Sequence, residues 1–587
     1  MLSALSATAA FCQISRHEEV VVTGTAEPIP LEEADRSVGI LTLEGRNLLA
    51  NTVTDLLRLD PSVDVTARAP GGIQTDVSIR GASFGQTLVL LDGLRLNDSQ
   101  TGHHSMDSPL PLDLVDRVEV LRGSGSTLYG SDAVGGVVNM VTRRPEASEV
   151  RVSAGAGNFG TNMERVTMAA SAGRFDGQLA AVRDFSSGFR PDRDYRNLSL
   201  ASTAHVRTEL GTSSFLLGYS DKPFGADQFY GPYNSWEDTK TWFASVQQDL
   251  GDETRAAFSF RRHSDLFVLK RDNPGLYANH HEDETFDGSL RRRDAISTNT
   301  SLNYGVEGYN DSIASNNLGL HDRGRAAAYV SLDARVLRRF SVSIGVREEA
   351  WKWFRAQFSP TAAAGAWLSS KWKLRASASR AFRVPTYTEL YYNDPANIGS
   401  PHLKPEDSWT FEAGTDWLPK QSVRVSAAVF ERRQENPIDY VRRTVADRWM
   451  AVNLGSLRFT GAEASVTITP ARGQPFAVSY AALTGAQSAL GGLQSKYVFN
   501  YPSQSGTVTW QGGLGRGMIA RTRLGAVNRL ARAPYALMDV YAGYSEGRVH
   551  PFVQLTNLGN ARYEEIAGIA MPGRGIAGGL EFVIKGK

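Results

Sequence analysis

From about residue 149 onward, apolar and polar side chains alternate one for one through segment after segment. In "GAEASVTITP", Ala462, Ala464, Val466 and Ile468 share one face, while Glu463, Ser465, Thr467 and Thr469 share the other. "KWKLRASAS" sets Trp372, Leu374, Ala376 and Ala378 against Lys371, Lys373, Arg375, Ser377 and Ser379, and "SVRVSAAV" sets Val423, Val425, Ala427 and Val429 against Arg424 and Ser426. A period of two is that of a β-strand, whose successive side chains point to opposite faces. Each predicted strand therefore has one oily face and one that carries charge. A soluble sandwich also alternates, but it rarely needs all of residues 148–587 in one piece with long polar insertions. A transmembrane antiparallel β-barrel does need this: roughly 9–11 residues per tilted strand, apolar side to lipid, polar side to a wet lumen, and closure so that no backbone group meets lipid unpaired. On this reading "DKPFGADQFYGPYNSWEDTK" and "KRDNPGLYANHHEDETFDGSLRRRD" are outer loops.

Residues 35–147 follow a different pattern. "NTVTDLLRLDPSVDV" places Val53, Leu56 and Leu57 at helical spacing with Pro61 as a stop, and short apolar strands such as "TLVLLDG" follow, so this stretch reads as a compact α+β domain. Ahead of it, "EEVVVTGTAEPIP" is a short β-branched run in a polar, Pro-broken tether over residues 16–34, with no pairing partner evident nearby. Residues 1–15 have the apolar body and small residues of a signal peptide, and Cys12, the one cysteine, would leave with it. Hydrophobic content of 41% and a net charge of +1 argue against both disorder and nucleic-acid binding. No apolar run reaches the ~18 residues of a membrane-spanning helix.

Ordered motifs then identify a resemblance. "VSIRGASFGQTLVLLDGLRLND" and "DLVDRVEVLRGSGSTLYGSDAVGGVVNMVTRRP" carry Arg80-Gly81, Asp92-Gly93, Glu119, Arg122-Gly123, Tyr129-Gly130 and Gly135-Gly136, and the later half contains "SRAFRVPTYTELYY", "HLKPEDSWTFEAGTDW" and "FTGAEASV". In this the chain resembles the TonB-dependent outer-membrane receptors over nearly its whole length, and within them the compact vitamin B12 (cobalamin) receptor branch. The resemblance implies a 22-strand barrel in the bacterial outer membrane with the N-terminal domain as a plug inside the lumen. It implies TonB-dependent import of a scarce bulky small molecule: cobalamin, a ferric siderophore or haem. The alternative is a passive porin. No enzymatic activity, cofactor or nucleic-acid partner is expected, and the protein is expected to be a monomer in outer-membrane lipid.

By the same resemblance, Glu19, Val20, Val21, Val22, Thr23 and Gly24 form the TonB box, which a periplasmic TonB-type energy-coupling protein grips. A short strand with free edges can be added to another protein's sheet. The family pattern pairs the plug arginines Arg80 and Arg122 with the barrel carboxylates Glu412 and Glu463. The apical stretch "NDSQTGHHSMDSPLP" offers Ser99, Gln100, His103, His104 and Asp107 to a ligand, and Phe229, Tyr230, Tyr233 and Trp236 offer wide, stiff surfaces. The same aromatics also suit an interfacial belt.

No metal site is expected. Adjacent His103 and His104 would point to opposite faces of a strand, His280, His281, Glu282 and Asp283 read as loop residues, and Asp184, Asp192 and Asp194 are interleaved with arginines. The closely spaced Gly123, Gly125 and Gly130 run into the strand "VVNMVT" and so read as tight turns rather than a phosphate loop.

Overall fold

The structure, a computed structural model, describes residues 20–21, 23, 29–43, 50–337, 339–470, 474–487 and 490–586. Twenty-two antiparallel strands close into a barrel, from Glu149–Gly157 to Gly575–Lys585, and these two strands pair with each other through Val152↔Phe582 and its neighbours. Closure leaves no strand edge for lipid to meet.

The alternation sorts as its chemistry requires. On Trp372–Arg383, Trp372 and Leu374 are 45% and 40% exposed, whereas Lys373 is fully buried. Val429 and Val466 likewise stand outside, and Arg261, Arg347 and Arg432 are among the largest fully buried side chains. The barrel is thus oily outside and ionic inside, the reverse of a soluble protein.

The expected outer loops are largely strand. Gly211–Asp227 and Asn234–Leu250 span 17 residues each, and Ala278–Ser297 spans 20, well beyond the ~9–11 needed to cross lipid. His280, His281, Glu282 and Asp283 accordingly sit on a strand: His281 and Asp283 face inward and buried, and Glu282 pairs outward with Arg262 at 2.6 Å. Period-two alternation persists here, but both faces are polar above the lipid, which hides the strand from a hydrophobicity reading.

The plug is built on a five-stranded mixed sheet, in the order Val38–Thr42, Val115–Arg122, Gly136–Thr142, Thr87–Leu91, Leu94–Arg95. Val53–Leu57 is helical as expected, and Thr52 caps it: its hydroxyl accepts from the Asp55 N–H while Asp55 reaches back to Thr52 N. Leu56 and Leu57 pack on the sheet with Val89, Val118, Val138 and Met140. Asp92-Gly93 forms the two-residue turn between Thr87–Leu91 and Leu94–Arg95, with φ of 50° and 80°, the type I′ geometry that Asp-Gly favours. At Gly136 a Cβ would lie 2.2 Å from the Leu121 carbonyl oxygen, so only glycine lets these two strands approach.

The wall touches the plug on every side. Gln178 donates to the Arg143 carbonyl, Thr127 to the Ser359 carbonyl, Ser505 to the Pro61 carbonyl, and Arg523 to the Arg58 carbonyl. The lumen is occupied.

The N-terminal strand does have a partner. Val20–Val21 pairs antiparallel with Ile29–Pro30 through Val20↔Pro30 and Val21↔Ile29, so the expectation of an unpaired strand is corrected. The Pro-broken tether supplies that partner, since proline is tolerated at a strand edge. Glu19, Val22 and Gly24 lie outside the described residues.

Candidate functional site

Thr23 is buried against the plug. Its N–H and hydroxyl donate to Glu119 Oε2 at 2.9 and 2.6 Å, and Asn139 donates to the Thr23 hydroxyl at 3.1 Å. The motif glutamate Glu119 therefore holds the segment that follows Val20–Val21. Arg122 shares its strand, Val115–Arg122. The Gly123 N–H donates to the Gly135 carbonyl, and Tyr129-Gly130 closes the four-residue helix Ser126–Tyr129. That helix runs into Gly136–Thr142, which completes the turn reading of the glycine run.

Arg80 stands where the plug meets the wall. Its Nη1 donates to Glu412 Oε2 at 2.6 Å, and its Nε and Nη2 bind Glu463 bidentately at 2.8 Å each. Phe430 lies under the guanidinium, 4.2 Å from its carbon to the ring centroid. Glu412 also accepts from Ser37 and Arg375. Arg122 is less committed to the barrel: it donates to Asp60 of the plug at 2.6 Å and comes within only 4.0 Å of Glu463. Burial would raise the Asp60 pKa, but Arg122 and Ser62 override it and hold the carboxyl below its ordinary range.

The apical stretch is not an exposed loop. Ser99, Gln100, His104 and Asp107 are all buried against the wall. Ser99 donates to Asp283 at 3.3 Å and Gln100 to Asp265 at 2.9 Å. His103 and His104 lie on the 3-10 turn Gly102–His104 rather than on a strand, and they diverge. His103 bonds Asp76 at 2.8 Å and stacks on Phe84, and burial, only partly offset by Asp76, lowers its pKa. His104 turns to the wall, with Nδ1 3.4 Å from Asp107 and Nε2 3.5 Å from Asp265.

On the wall, Arg261 and His263 of Thr254–Val268 face Asp283 of Ala278–Ser297. Arg261 bridges Asp98 and Asp283 at 2.7 and 3.0 Å. The barrel half of this group was missed because "NHHEDETFD" read as loop. The signal was the period-two spacing of Arg261, His263 and Asp265, which puts all three on one face.

Of the aromatics, Phe229 is buried with Phe224, Tyr195 and plug residues Ala69 and Ile73, beneath Arg193, so as placed it is packing rather than open surface. Tyr230 and Tyr233 are 42% and 40% exposed; the Tyr230 hydroxyl donates to Glu237 at 2.5 Å, and Trp236 is half-buried. Asp192 and Asp194 flank Arg271, at 3.4 and 2.9 Å. Ser83, in the Gly81–Gly85 run with Gly-x-Ser-x-Gly spacing, opens a 3-10 turn and not the strand-to-helix elbow of a hydrolase nucleophile.

Two family models match the chain: "TonB dependent receptor-like, beta-barrel" over residues 148–559 and "TonB-dependent Receptor Plug Domain" over residues 32–137. Among curated proteins, the chain is 26% identical over 417 residues to a vitamin B12 transporter of Photobacterium profundum, covering 68% of this chain and 67% of that one. It is 24% identical over 558 residues to an iron-regulated outer membrane virulence protein of Vibrio cholerae, covering 84% and 82%. Among solved structures it superposes on the siderophore receptor PirA of Acinetobacter baumannii with a TM-score of 0.75 at 15% identity, covering 93% of this chain and 98% of that one. The FrpB iron transporter of Neisseria meningitidis gives a TM-score of 0.77 at 15% identity, covering 93% and 99%.

Proposed function

The chain belongs to the TonB-dependent receptor family, and from that premise we propose how this outer-membrane protein of active nutrient import is loaded and driven. Its cargo is a bulky, scarce solute of the corrinoid or ferric-siderophore class, the two chemistries borne by its relatives' names. A TonB-type protein in the periplasm grips residues 19–24, with residues 16–34 as the leash, 35–147 as the plug and 148–587 as the barrel. The observation that carries this reading is a lumen filled by a plug clasped to the wall by ion pairs and hydrogen bonds, Arg80 to Glu412 and Glu463 foremost. A constitutively open porin is incompatible with that filling.

The box works by exchange. Val20–Val21 is held by two register pairs to Ile29–Pro30, and each net backbone hydrogen bond is worth about 0.5–1.5 kcal/mol. An incoming sheet edge can replace that pairing at little cost. Arg80, Arg122, Glu412 and Glu463 hold the plug until it is pulled. Ser99, Gln100, His103, His104 and Asp107 meet the cargo once the apical stretch leaves the wall, with Tyr230, Tyr233 and Trp236 above them.

The test is Val21→Pro, which removes a donor and resists strand pairing. Uptake of radiolabelled cobalamin or of a panel of ferric chelates is expected to fall to the level of cells without an energised TonB system, while binding to the purified protein is unchanged. Normal uptake by this variant would sink the coupling role.

A further inference from the structure

Where the plug's apical turn meets the wall, His104 and Asp107 of the plug and His263 of the barrel bring three ligand atoms within 4.8 Å of one another. His104 Nδ1 lies 3.4 Å and His263 Nε2 lies 3.6 Å from Asp107 Oδ2, and the two rings are 4.7 Å apart. These separations are long for charge-assisted hydrogen bonds, which run at about 2.7–2.9 Å. They are close to the edge of a tetrahedron around a metal: bonds of about 2.0–2.1 Å give ligand atoms about 3.3–3.4 Å apart. Both nitrogens are buried, on side chains 3% and 0% exposed, and neither makes a hydrogen bond.

The surroundings match those of a metal-binding histidine pair. A ligating imidazole turns its other nitrogen to a carboxylate, which fixes the ring and raises its basicity. Here His263 Nδ1 lies 2.9 Å from Asp98 Oδ2, near enough but not aligned for a hydrogen bond, and His104 Nε2 lies 3.5 Å from Asp265 Oδ2. Lys222 holds the far oxygen of Asp107 at 3.3 Å, leaving Oδ2 directed at the two rings. The neighbouring carboxylates of Asp98 and Asp283 already have a cation in Arg261, and Glu237 already has the Tyr230 hydroxyl. Asp107 has its cation, Lys222, on Oδ1 alone, so its Oδ2 with the two imidazole nitrogens is the part of the cluster whose geometry still lacks an occupant.

We propose that His104, Asp107 and His263 bind one divalent first-row transition-metal ion across the seam between plug and barrel, with a fourth coordination position left open. Two imidazoles and one carboxylate suit Zn²⁺ and its neighbours and not Ca²⁺ or Mg²⁺, which prefer oxygen ligands alone. The ion ties the apical turn Gly102–His104 to the strand Thr254–Val268. The Arg262–Glu282 pair on the outer face at the same height places the site above the lipid band, on the outer side. His103 contributes nothing to it, being committed to Asp76.

The test uses the full chain in detergent, stripped with chelator and titrated with Zn²⁺ against a chromophoric competitor, with Co²⁺ as an optical probe of coordination. One equivalent is expected to bind, with a tetrahedral Co²⁺ spectrum. His104→Ala and His263→Ala are each expected to weaken binding by at least about 100-fold. Asp98→Asn, which removes the carboxylate beside the far nitrogen of His263 and with it one of the two carboxylates on Arg261, weakens it about 10–100-fold, and His103→Ala leaves it unchanged. Stoichiometric binding that survives in the His104→Ala, His263→Ala double variant overturns the proposal, as does a wild-type protein that takes up no ion. Should the variants fail to insert as barrels, anomalous diffraction from Zn²⁺-soaked wild-type crystals decides: a peak between the two imidazoles supports the site, and a peak elsewhere or none refutes it. All these readouts are taken without energised uptake, so they stand or fall apart from the coupling mechanism.

Discussion

Replacing Glu412 and Glu463 together by glutamine keeps the shape of the seam and removes its charge. Arg80 then remains buried, its side chain 2% exposed, with neutral amides where two carboxylates stood. Removing one partner of a buried pair typically costs about 3–5 kcal/mol, most of it from the stranded charge. The loss should be strongly non-additive. Glu463→Gln alone leaves Arg80 its 2.6 Å bond to Glu412, and Glu412→Gln alone leaves it the bidentate pair to Glu463. Arg375 is not stranded in either case, because Asp416 accepts from it at 3.0 Å. Only the double variant isolates Arg80, so most of the cost should appear there. At about 1.4 kcal/mol per decade, 3–5 kcal/mol raises the equilibrium for plug release about 100- to 4,000-fold. The assay is planar-bilayer conductance during a urea titration, in which plug release opens the lumen before the barrel melts. The double variant should open at clearly lower urea, and each single variant should shift less than half as far. A double variant that opens with the wild type, or two singles that sum to the double, would refute the reasoning.

Three further outcomes follow from other contacts. Glu119→Gln weakens two hydrogen bonds from Thr23 to a charged acceptor, each worth about 1.5–3 kcal/mol, so the N-terminal segment should become cleavable by added protease while the barrel stays intact. Val429→Arg puts a charge on a mid-strand position 58% exposed on the outer face, and should lower barrel stability in vesicles by about 2–4 kcal/mol in urea unfolding, whereas Ser426→Arg on the opposite face of the same strand should cost far less. Chelator treatment of Zn²⁺-loaded protein should speed hydrogen exchange at the Gly102–His104 turn and leave the Thr52-capped helix Val53–Leu57 unaffected.

The barrel was legible because lipid enforces its rule on every strand: Leu374 and Val429 must face out, and Lys373 must face in. The plug was legible through the helical spacing of Val53, Leu56 and Leu57 and through short apolar runs such as Thr87–Leu91. What escaped is what depends on distant partners. Val20–Val21 pairs with a Pro-containing segment that carries no strand signal of its own. His104 reads as half of a poor chelating pair until the barrel brings His263 beside it, 159 positions along the chain. The long outer strands escaped for a third reason: above the lipid both faces meet water or plug, and amphipathic contrast, the property that reveals a strand, is absent there.

The composition of the seam bears on how a plug can be firm yet movable. Apolar contact resists separation in proportion to area, at roughly 25 cal/mol per Å², and would have to be lost all at once over a large wall. Much of the seam is instead a set of discrete polar clasps, while the plug's oil is gathered mainly around Leu56, Val118 and Val138 and reaches the wall only in patches, at Ala180, Leu216 and Phe243 and at Phe224 and Phe229. Water can replace such clasps one by one, and buried ion pairs nearly break even against their own desolvation. Their order along the chain also matters. A pull from the N-terminus frees Thr23 from Glu119 and then meets Lys373, whose ammonium donates to the Glu33 and Ala34 carbonyls at 2.8 and 3.1 Å and pairs with Asp35 at 2.6 Å. Arg335 holds Glu33 at 2.6 Å and Ser341 holds Asp35 at 2.7 Å. Only after these does the load reach Ser37, whose hydroxyl rests on Glu412. The leash is thus wired in series to the Arg80 clasp, and a modest force applied at one end can undo contacts that, taken together, a thermal fluctuation would not.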